Sequence, residues 1–191
     1  MGLDIHIGTN NHEELYSAEY YDEKNGYFNK HSLSRTFCNF MCRQNVVGHE
    51  PELDQIGKIT GVDILPIYEL ESYPEEEGLE FFIETAESEE ERQRILGKAE
   101  EDKAKLQGNI DQVIKTITEL IEKLNSIDNL PSLLLPTNYD SLNNQEYFAD
   151  FKVDKGQGYI DNNFGQDLRN FNRFLEFAKE RGTTTIWFNY G

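Results

Sequence analysis

Apolar positions along this chain fall into two periods, one helical and one extended. The longest helical stretch runs through Leu96, Ala99, Leu106, Ile110, Val113, Ile117, Leu120, Leu124 and Ile127, spaced alternately by three and four with Lys103 as the charged interruption. That is the seam of a heptad repeat. Ser88, followed three residues later by Glu91, supplies a capping-box start. The spacing therefore predicts one helix over 88–127, about 55–60 Å long at about 1.5 Å per residue. Gly97 and Gly108 each cost about 1 kcal/mol relative to Ala; they mark a close approach, a bend, or a break into a hairpin. Ile114 and Ile121 widen the seam, so the C-terminal half is expected to be buried and the more charged N-terminal half to project. A second helix is predicted over 164–181. Asn163 caps it with Gln166 as partner, Phe164, Leu168, Phe171, Leu175 and Ala178 form its stripe, and Gly182 stops it.

The extended period appears at both ends. Leu3, Ile5 and Ile7 alternate with Asp4 and His6, and Thr184, Ile186, Phe188 and Tyr190 alternate with bulky neighbours, so the last strand reads as central in its sheet. Between them, Asn25-Gly26 flanked by aromatic residues predicts a hairpin or an ordered loop over 12–32. Short helices are expected over 33–41 and after Pro51. Val62 to Tyr68 reads as a strand that Pro66 demotes to an edge or marks with a bulge, and Phe148 to Val153 as another strand. Gly156-Gln157-Gly158 reads as a turn. The sum is an α+β fold: a small mixed sheet containing the N- and C-terminal strands, packed by helices, in a single domain over 1–191 with 88–127 as a long helical arm.

Charge narrows the partners. The 36 Asp and Glu against 18 Lys and Arg leave a net charge of −18, which repels nucleic acid and anionic membranes. Eleven of the carboxylates crowd into residues 69–91, where no Lys or Arg occurs. No apolar run is long enough to span a bilayer, and the opening lacks a secretory pattern. His6 stands where a myristoylation motif wants Ser or Thr. Cys38 and Cys42, four apart on a helix, have Cβ atoms about 5–6 Å apart, too far for a disulfide, which needs about 3.5–4.5 Å. Reduced thiols in a cytoplasmic protein are the expectation.

Two constellations could carry chemistry. Asp4 and His6 share one face of the first strand, about 7 Å apart, close enough to flank a ligand. Arg35, Asp167 and Arg169 would join them if the short and last helices abut that face. A His with a carboxylate suits acid–base or phosphoryl chemistry. The other set is His31, Cys38, Cys42 and His49, a two-Cys, two-His complement for a tetrahedral zinc ion, set against a plain buried-core role in an aromatic run. The tyrosines of 16–28 could form a sugar- or peptide-stacking platform, with hairpin packing the plainer account. Gly156 and Gly158 lack a dinucleotide fingerprint, Asp154 and Asp161 fit no calcium loop, and no serine sits in a nucleophile elbow. No cofactor is implied.

The opening Met1-Gly2-Leu3-Asp4-Ile5 resembles a group of uncharacterised bacterial and phage-associated proteins that begin the same way. LSRTFCNFM (33–41), ELDQIGKITGVDILPIY (52–68) and NNFGQDLRNFNRFLEFAKERG (162–182) are similar to blocks in such proteins. The resemblance implies a bacterial or phage, cytoplasmic setting and no catalytic residues. Three functions remain to be told apart. The first is a non-enzymatic interaction protein that self-associates as a homodimer through 88–127. The second is a small hydrolase or transferase around Asp4 and His6. The third is an acidic nucleic-acid mimic over 69–91.

Overall fold

The computed structural model describes residues 4–45, 48–74, 76–135, 144–154 and 158–190. The Met1-Gly2-Leu3 opening, Glu75, Pro136 and the Gly156-Gln157 pair lie outside the described residues. The chain runs β1 (Ile5–Thr9), α1 (His12–Leu15), α2 (Ala18–Tyr21), α3 (Tyr27–His31), α4 (Arg35–Met41), α5 (Glu52–Thr60), α6 (Leu65–Tyr68) and α7 (Glu76–Thr85). It continues through α8 (Glu89–Leu106), α9 (Ile110–Leu124), α10 (Asn144–Tyr147), α11 (Phe164–Glu180) and β2 (Ile186–Tyr190). The fold is α+β and mostly helical. Among the described residues no helix is long and apolar enough to cross a membrane.

The terminal strands find each other, as a two-stranded antiparallel ribbon and not a mixed sheet. Ile7 lies opposite Phe188 and Thr9 opposite Ile186. Alternation buries Ile5, Ile7, Ile186 and Phe188 on one face. On the other face Trp187 lies across Gly8, where an added Cβ would overlap the indole. The indole stacks on Tyr73 with ring centroids 4.0 Å apart. Helix α11 packs against the same core with Phe164, Leu168, Phe171, Phe174 and Leu175 all buried. Its Asn163 cap accepts the Gln166 N–H at 2.8 Å, and the Gln166 side chain donates to Asn170 at 2.9 Å.

The long helix of 88–127 is not continuous. It breaks at 107–109, with Gly108 at φ +76, a conformation glycine adopts without steric cost. The reason lies in β2. Asn109 accepts the Ile186 N–H at 2.9 Å and donates to the Ile186 carbonyl at 2.9 Å, imitating a neighbouring strand. Gly108 N–H reaches Thr185 Oγ1 at 3.0 Å and Ile110 N–H reaches the Thr184 carbonyl at 3.2 Å. The open edge of β2 is thus closed by backbone and amide groups that an uninterrupted helix would keep for itself. Beyond the break the seam behaves as its spacing implies. Val113, Ile117, Leu120 and Leu124 are buried, and α9 packs along α11. Before it, α8 buries Ala99 and Leu106, while Ile95 and Leu96 are half-buried. Ser88 caps α8 by accepting the Glu91 N–H at 3.1 Å, but the Glu91 carboxylate takes the Glu87 N–H at 2.9 Å.

Three expected strands or hairpins are helices or turns. Residues 12–31 hold α1, α2 and α3, and Gly26 uses its positive φ of 63 to start α3, not to turn a hairpin. Pro66 sits in the first turn of α6, where its missing N–H costs nothing, and Asp63 accepts the Leu65 N–H at 3.1 Å. Residues 148–152 form turns. Their carbonyls are taken by side chains: Asn163 bonds those of Ala149 and Asp150, and Arg169 those of Phe151 and Val153.

Candidate functional site

A cleft of about 660 Å³ opens beside β1, between α2, α3, the 32–36 segment and the turn at 158–161. The tyrosine-rich stretch gives its wall Tyr16, Tyr20, Tyr21 and Phe28. Tyr16 donates to the Ile7 carbonyl at 2.7 Å and stacks on Phe174 with centroids 5.9 Å apart, which anchors α1 and α2 to the strand and to α11. Tyr20 packs edge-on against Tyr16 at 4.9 Å and lies 5.7 Å from Phe177. Across the mouth, Phe28 of α3 meets Tyr159 edge-on at 6.4 Å. The 158–161 turn is held there by Gly158 N–H to the Asn29 carbonyl at 2.8 Å, and by Asn162 and Asn170 on the Gly158 carbonyl at 3.1 and 3.2 Å. Tyr21, Phe28, Tyr159 and Ile160 remain exposed around the opening.

Asp4, His6 and Arg35 all line this cleft. They do not form a dyad of Asp4 with His6. Arg35 takes the Asp4 carboxylate through Nε at 2.8 Å and a second nitrogen at 3.4 Å. Hydrogen bonding to Asp4 raises the guanidinium pKa further above its ordinary value. Both partners are exposed, so this pair fixes geometry at the rim more than it stabilises the fold. His6 is exposed.

Of the two residues expected to join them, Arg169 turns away to the 151–153 carbonyls. Asp167 lies behind the wall, fully buried. It accepts Ser34 N–H at 2.9 Å, Ser34 Oγ–H at 2.6 Å, Tyr147 O–H at 2.9 Å and an Asn162 amide N–H at 2.9 Å. Burial pushes its carboxyl up to about 6, against the pull of those hydrogen bonds. Asp167 therefore positions the 32–36 wall from behind and is not itself among the residues lining the cleft. Ser34 also caps α4 by accepting the Phe37 N–H at 3.1 Å.

His31 closes the inner end of the cleft. It is stacked with Tyr27 at 6.0 Å and tilted against Phe177 at 4.8 Å. Burial lowers its pKa to about 4, with Arg173, Lys30 and Arg181 adding to the effect. At neutral pH it is an uncharged ring, and its buried Nδ1 has no hydrogen-bond partner among the described residues.

The zinc expectation for His31, Cys38, Cys42 and His49 fails on placement. His31 belongs to the aromatic wall, His49 faces Glu52 at 3.8 Å, and Cys38 is buried in the core. Burial pushes the Cys38 thiol up to about 12, with Cys42 beside it adding to the shift. Among the described residues no three His, Cys, Asp or Glu side chains are placed to hold a metal ion.

Comparison with protein-family models, with curated proteins and with solved structures finds no match. No role therefore comes to these residues from a relative. Among the described residues, the serines of the cleft wall are held by neighbours. Ser34 Oγ is committed to Asp167 and Ser32 Oγ to the Phe28 carbonyl. Sequence reasoning placed Asp4, His6 and Arg35 together and missed that Phe28, Tyr159 and Phe174 share their cleft. The density of tyrosines over 16–28 was the available signal. Tyr159 and Phe174 carry none, because only the tertiary fold brings them there.

Proposed function

We propose that this is a non-enzymatic binding protein whose cleft takes a small organic ligand with a flat face, of the aryl or sugar-ring kind. One observation carries the reading: Tyr21, Phe28 and Tyr159 leave aromatic surface in water around a concavity of about 660 Å³. Sites for small molecules are concavities of about 300–1,000 Å³, mostly apolar, with a few polar groups fixing orientation. Here the Asp4–Arg35 pair and His6 are those groups. A ligand that covers the rings recovers the hydrophobic term they forgo in the free protein. The test is an amide-resolved NMR titration with phenyl β-glucoside and with adenosine. Shifts should cluster at residues 6, 21, 28 and 159, and a Tyr21→Ser/Phe28→Ser double variant should bind at least tenfold more weakly. Silence from both probes at millimolar concentration would remove the proposal.

A hydrolase or transferase around Asp4 and His6 is the second reading, favoured by the position of both on the cleft wall. Turnover of a phosphate or glycosyl ester that His6→Ala abolishes would promote it over the first. Self-association through 88–127 has less to draw on, since the seam of α9 is spent on α11 within the chain.

A further inference from the structure

Helices α7 and α8 form a hairpin joined through residues 86–88. Two of its features stand apart from the cleft. Phe81 and Phe82, neighbours on α7 with ring centroids 5.8 Å apart, are 61% and 59% exposed. Adjacent phenylalanines this open are not needed for the core, which closes without them. The second feature is how the two helices treat their carboxylates. On α8 four of the six acids are matched within the helix: Glu89 with Arg92, Glu91 with Arg94, Glu100 with Lys103, and Asp102 with both Lys98 and Lys105. On α7, exposed Glu80 and Glu84 stand four apart on one stripe, a like-charge spacing that weakens a helix. Among the described residues neither forms an ion pair, and 69–91 contains no Lys or Arg to supply one.

We infer that the outer face of α7 is a docking surface for a basic amphipathic helix of another protein. The partner's apolar stripe covers Phe81 and Phe82, and its Lys and Arg side chains neutralise Glu80 and Glu84. Charge selects this occupant over a second copy of the chain. A copy would bring the same unmatched carboxylates, on a molecule of net charge −18, against their own kind. It also distinguishes the surface from a nucleic-acid mimic, which needs an unbroken negative face. The acidic run is instead divided, since Glu71 accepts Tyr190 O–H at 2.7 Å and Tyr73 lies under Trp187. Helix α7 spans about 15 Å at about 1.5 Å per residue, enough to contact three turns of a partner helix.

The probe is a fluorescein-labelled Leu/Lys peptide of about eighteen residues, long enough to form a helix on the surface, with its leucines in one stripe. A control has the same composition scrambled so that no stripe forms. Fluorescence anisotropy with the full chain should show micromolar binding of the striped peptide and at least tenfold weaker binding of the scrambled one. Phe81→Ser/Phe82→Ser should weaken the striped peptide at least tenfold, and Glu80→Gln/Glu84→Gln several-fold with a shallower dependence on salt. Both pairs are exposed, so unchanged circular dichroism verifies that the variants fold. Equal binding of both peptides, or binding indifferent to both double variants, would show only diffuse attraction to an acidic surface and overturn the inference. So would sedimentation showing a dimer that Phe81→Ser/Phe82→Ser dissolves.

Discussion

Replacing His31 by Phe should make the protein gain stability relative to wild type as the solution is acidified. In the fold the His31 pKa is held near 4, against 6.5 for a free imidazole, chiefly by burial among Tyr20, Tyr27 and Phe177. Between those values the unfolded chain binds a proton that the native one refuses. This contribution is therefore whole above pH 6.5 and is lost as pH falls towards 4. From pH 7 to pH 5 the loss is about 2 kcal/mol, at about 1.4 kcal/mol per pH unit of differential titration. Asp167 acts in the opposite sense. Its carboxyl is held up at about 6, against an ordinary 3.8, by burial. Here the native chain takes the proton first, so stability rises as pH falls through 6, by about 1.3 kcal/mol between pH 7 and pH 5. In the wild type the two terms largely cancel. Phenylalanine keeps a ring in the aromatic wall and removes only the titration. Urea unfolding at half-unit steps from pH 7 to pH 5 measures this, and it stays above the isoelectric point near 4.5, where association would interfere. The difference between His31→Phe and wild type should grow by about 2 kcal/mol on acidification. For Asp167→Asn it should move the other way by about 1.3 kcal/mol. Using differences removes the background of the other carboxylates and any fixed cost of the substitution. If both variants run parallel to wild type within about 0.5 kcal/mol, the burial account of these two groups is wrong.

Two further outcomes probe what holds the ribbon. Gly8→Ala should cost about 1–3 kcal/mol, because its Cβ enters the space of an indole already stacked on Tyr73 and bonded to Asn189 at 2.9 Å; an unchanged melting temperature with unchanged Trp187 emission would refute the close packing. Asn109→Ala should cost about 2 kcal/mol or more by stranding the N–H and carbonyl of fully buried Ile186. Amide exchange at Ile186 should quicken with it, and exchange as slow as in wild type would mean that water or backbone replaces the amide.

The sequence by itself determined the elements whose pattern repeats long enough to outvote local alternatives. The α11 stripe from Phe164 to Ala178 recurs over about four turns between a side-chain cap and Gly182, and the period-two runs at the two ends have one burial solution each. The seam from Ile110 to Leu124 was equally legible as a buried face. Tertiary structure decided the rest, for a shared physical reason. Asn25-Gly26, Pro66 and Gly108 each permit two conformations at nearly equal local cost, and distant partners choose between them. At Gly108 the choice falls to Asn109 and the open edge of β2, some 77 residues away in the chain. The cleft follows the same rule. Asp4 and His6 share a strand face by spacing alone, but that Arg35 takes Asp4, that Asp167 retires behind Ser34, and that Tyr159 meets Phe28 are long-range contacts no local period encodes.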